Sequence, residues 1–397
     1  GDPLGPDEVR LTKEFYGWPT DAQFLVPDGV QDHMRAGMGR RGADLRAAWT
    51  QLFDAYRRQY PELADQLQRM QRRDLPAGWE SALPTFPPDP KGLATRDSSG
   101  DVLNAVAQAV PWIIGGAADL SPSTKTHLTF FGAGDFQSPP YDGTYSGRNF
   151  HYGIREHAMC AIVNGMTLSG VRAYGAGFFI FTDYARGSIR LSALMEIPAL
   201  YIWTHDSISL GQDGPTHQPI EQLASFRAMP GMVVFRPADA NEVVEAYRTA
   251  LQTPDRPAML VLTRQPLPTL DRTRYAPASG VAKGAYVLAD APEGKPDVLL
   301  LATGSEVSLC VTAAEQLAGD GIKARVVSMP CWELFDAQDQ AYRDSVLPPE
   351  VTARVSVEEA STFGWERYAG MNGAILGMHS FGMSAPIEVV QKYFGFE

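Results

Sequence analysis

The chain has 397 residues, of which 44% are hydrophobic, and it carries a formal net charge of -12 with an isoelectric point near 5.1. This length predicts two or three domains with substantial cores. The acidic balance argues against a nucleic-acid partner and against electrostatic attachment to acidic membranes.

Cysteine usage and hydropathy indicate the compartment. Cys160, Cys310 and Cys331 are too few and too scattered for a disulfide framework and lack metal-like spacing, which favours a reducing cytoplasm. No stretch approaches the roughly 20 continuous apolar residues of a bilayer span, so no membrane partner is expected. The polar first residues contain no signal-peptide pattern and no initiator methionine, and we interpret the sequence as beginning inside a longer protein.

Residues 1–90 are interpreted as a connecting arm with turns rich in proline and glycine and a polar helical stretch over residues 44–73. Pro61 interrupts this stretch. Because proline removes a helical hydrogen-bond donor and clashes with the preceding turn, two helices are predicted rather than one. The arm ends in a proline-rich, extended linker at residues 83–92.

From residue 91 apolar strands alternate with helices. Strands are predicted over residues 112–120, 171–175, 199–205, 232–237 and 258–264, and helices over residues 99–110, 184–194, 220–229 and 241–251 and from residue 154 onward. Asp239 with Glu242 predicts a helix cap. Continuous apolar strands, each followed by a helix, imply a mainly parallel sheet covered on both faces, with functional residues at the strand ends.

A second series of strands and helices follows a boundary near residues 276–284. Its predicted strands lie within residues 297–306, 323–329 and 354–361, with a helix capped at Ser305 and a last helix at residues 387–395. The predicted fold class is therefore α/β. Two mainly parallel-sheet, three-layer domains at residues 91–275 and 276–397 follow a helical arm at residues 1–90.

Glu156 stands at the start of an apolar helical stripe. Met159, Cys160 and Val163 occupy the i+3, i+4 and i+7 positions relative to it, so the pattern points Glu156 inward. A carboxylate on such a stripe loses water, which favours its neutral form and makes proton sharing plausible. The alternative is an ordinary first-turn acid that complements the helix dipole from solvent.

The motifs IREHA, GAGFFIF, THDSISLGQDGPTHQP and LTRQ occur in this order at residues 154–158, 175–181, 204–219 and 262–265. Together they resemble the pyrimidine-binding half of the transketolases. The DGPTHQP motif is highly specific, and the resemblance runs from the first residues to the carboxyl end. It implies reversible transfer of a two-carbon ketol group from a ketose phosphate to an aldose phosphate, in the pentose phosphate pathway, with thiamine diphosphate and Mg²⁺ or Ca²⁺ as cofactors.

The resemblance assigns a cofactor-binding set. Glu156 is implied to hydrogen-bond the ring nitrogen of the aminopyrimidine and so to promote the imino tautomer that acts as general base. Phe178, Phe181 and Tyr184 are implied to form the ring pocket, although an aromatic cluster at helix-like spacing is more often core. Asp119 matches a residue near the cofactor, with an Asx-turn as the equal alternative.

A second implied set binds substrate. The resemblance gives Asp213 and His217 as contacts to the sugar hydroxyls and the C2 oxygen, with His217 also suited to proton transfer.

A cationic clamp for the sugar phosphate is implied at Arg96, Ser123, His205 and Arg264. Taken singly, each arginine is more simply a surface charge or an ion-pair partner.

Two positions depart from the family pattern. Ala176 and Gly177 stand where the family usually has Gly-Thr, so we expect the turn before Phe178 to differ slightly. Gln212 stands where the family usually has Glu, which leaves its loop less acidic.

The family also places the diphosphate and metal on an amino-terminal domain marked by a GDG motif. The GDG at residues 319–321 lacks the downstream asparagine pair and is assigned to a helix-terminating turn. We therefore expect that domain to be missing, no metal ligand in this chain, and a truncated transketolase or the second subunit of a split one that is inactive alone. Because the family's site lies between subunits, a homodimer is implied.

Two other functions remain open. The beta-type subunit of a 2-oxo acid dehydrogenase shares this domain pair, but the DGPTHQP loop and the phosphate clamp count against it. The chain would instead be a noncatalytic assembly module if the missing domain were never present. The resemblance suggests that the carboxyl-terminal domain contributes to dimer packing.

Overall fold

The computed structural model describes residues 2–141, 143–292 and 295–397, which divide into two compact units, the first ending at Gln68 and the second beginning at Arg69. Among the helices of these residues, none combines the length and the apolar character that a membrane crossing requires.

The first unit is helical. It contains α1 (Pro6–Phe15), α2 (Val30–Met34) and α3 (Arg40–Gln59), with a π-helical segment at Arg35–Gly39 between the last two. The next helix, α4 (Pro61–Arg72), starts at the proline, and Tyr60 leaves the helical region with φ -133° and ψ 68°. Proline disfavours the helical conformation of the residue before it, so the predicted break at Pro61 is confirmed.

The second unit contains thirteen strands and eleven further helices among the described residues. The strands are β1 (Asp89–Ala94), β2 (Ile113–Ala117), β3 (Asn149–His151), β4 (Arg172–Phe178), β5 (Leu200–Thr204), β6 (Val233–Phe235), β7 (Ala258–Leu262), β8 (Pro266–Thr269), β9 (Tyr286–Ala289), β10 (Val298–Ala302), β11 (Ala324–Ser328), β12 (Arg354–Ser361) and β13 (Ala374–Met378). The helices are α5 (Thr95–Ala109), α6 (Ser121–Thr124), α7 (Glu156–Leu168), α8 (Thr182–Leu194), α9 (Gln222–Arg227), α10 (Ala240–Gln252), α11 (Glu306–Gly319), α12 (Trp332–Asp336), α13 (Gln340–Val346), α14 (Glu366–Ala369) and α15 (Ile387–Phe394).

The larger sheet has six parallel strands in the order β3-β2-β4-β5-β7-β6. Along β5, Leu200 and Ile202 belong to one buried apolar cluster, with residues of α5 and α10, and Tyr201 and Trp203 to another, with residues of α7 and α8. Alternate residues of a strand face opposite sides, so helices cover both faces. All carboxyl ends of this sheet lie along one edge.

The smaller sheet has the order β13-β12-β10-β11-β9, with only β9 antiparallel to its neighbour. The predicted fold class, α/β with two mainly parallel sheets, is confirmed. The domain boundaries at residues 90 and 275 stay a prediction.

The predicted caps have mixed outcomes. Asp239 precedes α10 and accepts a hydrogen bond from the backbone N–H of Glu242 at 2.8 Å, as predicted. Ser305 stands at the N-cap position of α11 but makes no side-chain cap, because its hydroxyl donates to the carboxylate of Glu306 at 2.5 Å, so that prediction is wrong. The predicted turn at residues 319–321 is confirmed, since α11 ends at Gly319.

A short antiparallel ribbon of two strands joins the beginning and the end of the chain segment that forms the larger sheet. In it β1 pairs with β8, with Leu93 opposite Leu267. Just beyond, the backbone N–H of Thr95 donates to the hydroxyl of Thr263 at 3.1 Å, and that of Thr263 donates to the hydroxyl of Thr95 at 2.7 Å. Both side chains are buried. This threonine clasp places the residues that follow them, Arg96 and Arg264, in the same region.

Candidate functional site

Glu156 is the first residue of α7 and is only 6% exposed. Met159, Cys160 and Val163 on the same stripe are fully buried, so the inward direction predicted from the spacing is confirmed. The alternative of a solvated first-turn acid is wrong. Burial of Cys160, with Glu156 one helical turn away, raises the pKa of its thiol well above the usual range, which keeps that thiol neutral.

A cavity of about 740 Å³, called here the aromatic cavity, lies in front of Glu156. Its lining residues are Asp119, Leu120, Ile154, Arg155, Glu156, His157, Phe178, Phe181, Tyr184 and His217. All five residues predicted to bind the cofactor are therefore brought together, and His217 joins them. The rings of Phe178 and Phe181 are nearly parallel, with an interplanar angle of 13° and centroids 6.0 Å apart.

The aromatic residues reach the cavity from different elements, although their spacing in the sequence is helix-like. Phe178 is the last residue of β4, Phe181 closes a 3-10 turn, and Tyr184 lies in the first turn of α8. Gly177 belongs to the strand and not to a turn. A Cβ there would lie 2.8 Å from the ring of Trp203, which explains the need for glycine.

His217 approaches the same rings from the loop after β5. Its imidazole lies 5.5 Å from the ring of Phe181 and 6.3 Å from that of Phe178, centroid to centroid, and its Nδ1 lies 2.9 Å from the hydroxyl of Thr216. Asp213 is exposed on this loop and is absent from the cavity lining formed by the described residues. Of the two loop residues predicted to bind substrate, the structure brings only His217 to the cavity.

The predicted phosphate clamp converges beside the cavity. Nη1 of Arg96 donates to the backbone carbonyl of Ser123 at 3.1 Å and lies 3.5 Å from Nε2 of His205. Arg264 is exposed. Burial lowers the pKa of Arg96, and the nearby charge of Arg264 lowers it further. The buried Nε of Arg96 has no hydrogen-bond partner within the described ranges. The four residues thus lie close together, with one guanidinium donor unused.

His205 connects the clamp to the aromatic cavity. It follows β5 with φ +62°, a left-handed conformation that non-glycine residues rarely adopt, and its Nδ1 lies 2.7 Å from the hydroxyl of Thr204. Burial and the neighbouring charges of Arg96 and Arg264 lower the pKa of His205 to about 3. The imidazole is therefore neutral near pH 7 and can act as a hydrogen-bond donor or acceptor.

Sequence reasoning missed several residues of this region. Arg155 and His157 line the aromatic cavity and flank Glu156 in the sequence, a proximity that could have indicated them. A neighbouring cavity, also about 740 Å³, shares Asp119 and Arg155 and is lined further by His127 and His151. These two histidines come from separate segments, and no spacing pattern joins them.

Comparison with known families gives three matches. The pyrimidine binding domain of transketolase matches residues 91–269, the transketolase-like C-terminal domain matches residues 284–397, and the thiamine diphosphate binding domain of transketolase matches residues 1–76. The last match shows that the predicted absence of the thiamine diphosphate-binding domain is wrong. The expectations of a truncated and inactive chain depended on that absence and lose their support.

Individual relatives agree with these matches. A transketolase of Geobacillus stearothermophilus is 51% identical over all 397 residues, which cover 58% of that relative. The chain thus spans little more than half the length of the curated relatives it matches. The transketolase of Pichia stipitis in complex with sedoheptulose-7-phosphate covers the whole chain at 43% identity with a TM-score of 0.92, over 57% of its own length. The transketolase of Leishmania mexicana does so at 40% identity with a TM-score of 0.90, over 56% of its length. The chain therefore belongs to the transketolase family.

Proposed function

We propose that this chain carries the pyrimidine side of a thiamine diphosphate site and serves the reversible transfer of a two-carbon ketol group between sugar phosphates. One observation carries the proposal: the buried carboxyl group of Glu156 lies in the wall of a cavity whose other walls include Phe178, Phe181 and Tyr184. Such a cavity suits a flat heterocycle with a ring nitrogen that needs a carboxyl partner.

The residues fit the cofactor's aminopyrimidine. The carboxyl group of Glu156 lies in the cavity lining, and Phe178 and Phe181 offer nearly parallel faces. When bound, thiamine diphosphate supplies the carbanion that accepts the ketol group. Glu156 would hold a proton at the pyrimidine nitrogen in a setting where burial strengthens the hydrogen bond.

The substrate would lie between the cavity and the clamp. Arg96 and Arg264 offer cationic hydrogen-bond donors to a phosphate, and the unused Nε of Arg96 suits this role. Neutral His205 would contact sugar oxygens, and His217 would move a proton at the C2 oxygen. Such local positive charge lets a chain of net charge -12 bind an anion. We propose Asp213 as a further sugar contact, reached only if its exposed loop closes on the substrate.

A metal ion, Mg²⁺ or Ca²⁺, would accompany the diphosphate. The described residues hold no group of three or more histidine, cysteine, aspartate or glutamate side chains arranged to bind one. We propose that the metal is bound chiefly through the oxygens of the diphosphate, so that no dedicated group of protein ligands is required of these residues.

A second copy of the chain is the proposed partner, since one wall of the aromatic cavity is incomplete. Ile154 and Tyr184 line it and remain 78% and 68% exposed. The neighbouring helices α7 and α8 also expose apolar side chains, among them Ile162, Leu168 and Leu191. An exposed apolar face of this kind marks an interface.

Sedimentation velocity tests the partner. We expect a dimer that Ile162→Glu converts to monomer, whereas the control Ile322→Glu, at an exposed position outside α7 and α8, leaves it dimeric. A monomeric unmodified chain would contradict the homodimer.

Two enzyme assays and a binding measurement test the activity. With thiamine diphosphate and Mg²⁺ present, we expect the chain to transfer ketol units from sedoheptulose 7-phosphate to an aldose phosphate and to leave 2-oxo acids unchanged. Turnover of a 2-oxo acid without ketol transfer would favour the dehydrogenase subunit. Absence of both activities together with absence of cofactor binding by calorimetry would favour a noncatalytic module.

A further inference from the structure

The loop that follows β5 is tied to the smaller sheet by a buried set of charges, called here the Arg236 cluster. Its members are Asp206, Arg236, Thr303, Ser305, Glu306 and Glu358. Asp206 follows His205 directly, Arg236 follows β6, and the others follow β10 or belong to β12. The cluster therefore joins the candidate site to the carboxyl-terminal domain.

Arg236 is the centre of these contacts. Its Nε and Nη2 each lie 2.9 Å from Oδ2 of Asp206, and its Nη1 donates to the carbonyl oxygen of Thr303 at 3.0 Å and to the carboxylate of Glu306. At Gly304, whose φ is +53°, a Cβ would lie 2.7 Å from Cζ of Arg236. The guanidinium thus fits a space that leaves no room for a side chain at Gly304.

Burying such charges is expensive. The side chains of Asp206, Arg236 and Glu306 are 1 to 2% exposed, and a buried ion destabilises the fold unless its partners are well placed. A hydrophobic contact would join the two sheets at lower cost. The retention of charge here favours a role in fixing geometry.

The conformation that must be held in place is that of His205, the residue before Asp206. His205 has φ +62°, and strain of this kind persists only where the surroundings hold it. On its amino-terminal side His205 is held by Thr204 and by the ring of Phe178. On its carboxyl-terminal side His205 is followed by Asp206, whose carboxylate is held by Arg236.

A second carboxylate of the same domain holds the next part of the loop. Glu359 on β12 accepts hydrogen bonds from the hydroxyl groups of Ser207 and Ser209, both at 2.8 Å. The backbone N–H of Ser209 also donates to it at 3.2 Å. The carboxyl-terminal domain therefore fixes residues 206–209 at several points.

We propose that Arg236 and Glu306 are positioning residues, which act through Asp206 to hold the backbone and the imidazole of His205 in place for the substrate. This inference rests on the proposed function, in which His205 contacts the sugar phosphate. It gives the carboxyl-terminal domain a role in placing substrate besides any role in packing.

Arg236→Lys tests the proposal because lysine keeps the charge and loses the planar fork that bridges Asp206 and Glu306. We expect kcat/KM for sedoheptulose 7-phosphate to fall about tenfold, since small misplacements of site groups are costly. Thiamine diphosphate affinity should change by less than about twofold. The matched control is Arg325→Lys, at a buried arginine. Its hydrogen bonds among the described residues stay within the carboxyl-terminal domain, to Asp290 and the carbonyls of Ser345 and Val346.

A double-mutant cycle separates positioning from general destabilisation. If Arg236 acts through His205, then Arg236→Lys should change kcat/KM by less than about twofold in a His205→Ala background, within the limits of additivity. An equal loss in both backgrounds would overturn the proposal, as would an equal loss in Arg325→Lys. Should Arg236→Lys fail to fold, Glu306→Gln enters the same cycle as the milder variant.

A measurement that does not depend on enzyme activity separates the test of this proposal from the test of the proposed function. In chains carrying ¹³C-labelled histidine, the resonance that disappears in His205→Ala identifies His205 among the seven histidines. We expect it to shift in Arg236→Lys and to stay in place in Arg325→Lys. An unmoved resonance would refute the positioning role even in an active protein. A shifted resonance in a chain without ketol transfer would support the positioning of His205 and refute only the transketolase activity.

Discussion

The imidazole of His205 packs against the ring of Phe178, with centroids 3.7 Å apart and the planes inclined by 34°. Phe178 belongs to the aromatic cavity and His205 to the phosphate clamp, so the proposed cofactor and substrate regions share a wall. Each ring limits how far the other can move, because both are buried and in contact.

Glu156→Gln removes the carboxyl proton and keeps the shape of the side chain. We expect ketol transfer to fall by about a hundredfold or more, since general acid–base groups contribute at that scale, with the fold unchanged. The matched control is Glu388→Gln, another first-turn helix acid, which is exposed on α15 and should retain full activity. Steady-state kinetics and circular dichroism measure both. Near-normal turnover in Glu156→Gln would refute its role.

Phe178 and Phe179 are adjacent phenylalanines with different surroundings. Phe178→Leu should weaken thiamine diphosphate binding about tenfold, because a stacking surface of the cavity is lost. Phe179 is fully buried against Phe226, so Phe179→Leu should lower the free energy of unfolding by about 1 kcal/mol and leave cofactor affinity unchanged. Calorimetric titration and urea denaturation separate the two effects. Equal cofactor affinity in both variants would contradict the assignment of the cavity.

Arg264→Gln removes an exposed charge of the clamp. We expect KM for a phosphorylated ketose to rise about tenfold or more, since a hydrogen bond to a charged group contributes roughly 1.5 to 3 kcal/mol. KM for the same ketose without its phosphate should not change. Arg256→Gln, at an exposed arginine paired with Asp255, serves as the control. A parallel rise in KM for both substrates would show that Arg264 does not act on the phosphate.

The lowered pKa of His205 predicts how stability depends on pH. The folded chain keeps this imidazole neutral down to a pKa of about 3, whereas an unfolded histidine titrates near 6.5. Between these values the unfolded chain binds the extra proton, so the free energy of unfolding should fall as the pH drops below about 6.5. His205→Gln should flatten this dependence, and His379→Gln, at an exposed histidine, should not. Urea denaturation between about pH 4 and 7 measures it, and identical slopes in all three proteins would contradict the lowered pKa.

Much of the fold could be predicted because its signals are local. Parallel strands buried on both faces leave continuous apolar runs, and β5 and β7 are of this kind. Pro61 and Asp239 act on their own neighbours, so the break and the cap follow from a few residues. Ser305 shows the limit, since its hydroxyl donates to the carboxylate of the next residue, Glu306, which is buried through a tertiary contact with the distant Arg236.

The site was predictable only in part. The inward direction of Glu156 follows from helical spacing, whereas the meeting of Arg96 with Arg264 depends on pairing between distant strands and came from family resemblance. Nothing in the sequence indicated that the residues of the Arg236 cluster are buried together, because isolated charged residues are usually on the surface. The error about the thiamine diphosphate-binding domain arose from requiring one glycine motif as its mark.

The threonine clasp has a consequence for biosynthesis. Thr95 and Thr263 are 168 positions apart, so a ribosome releases the first long before its partner exists. Until then the clasp cannot form, and Arg96 and Arg264 cannot be brought together. The proposed phosphate clamp is therefore expected to assemble only after residue 264 has been synthesised, and its His205 to be fixed only after the carboxyl-terminal domain has followed.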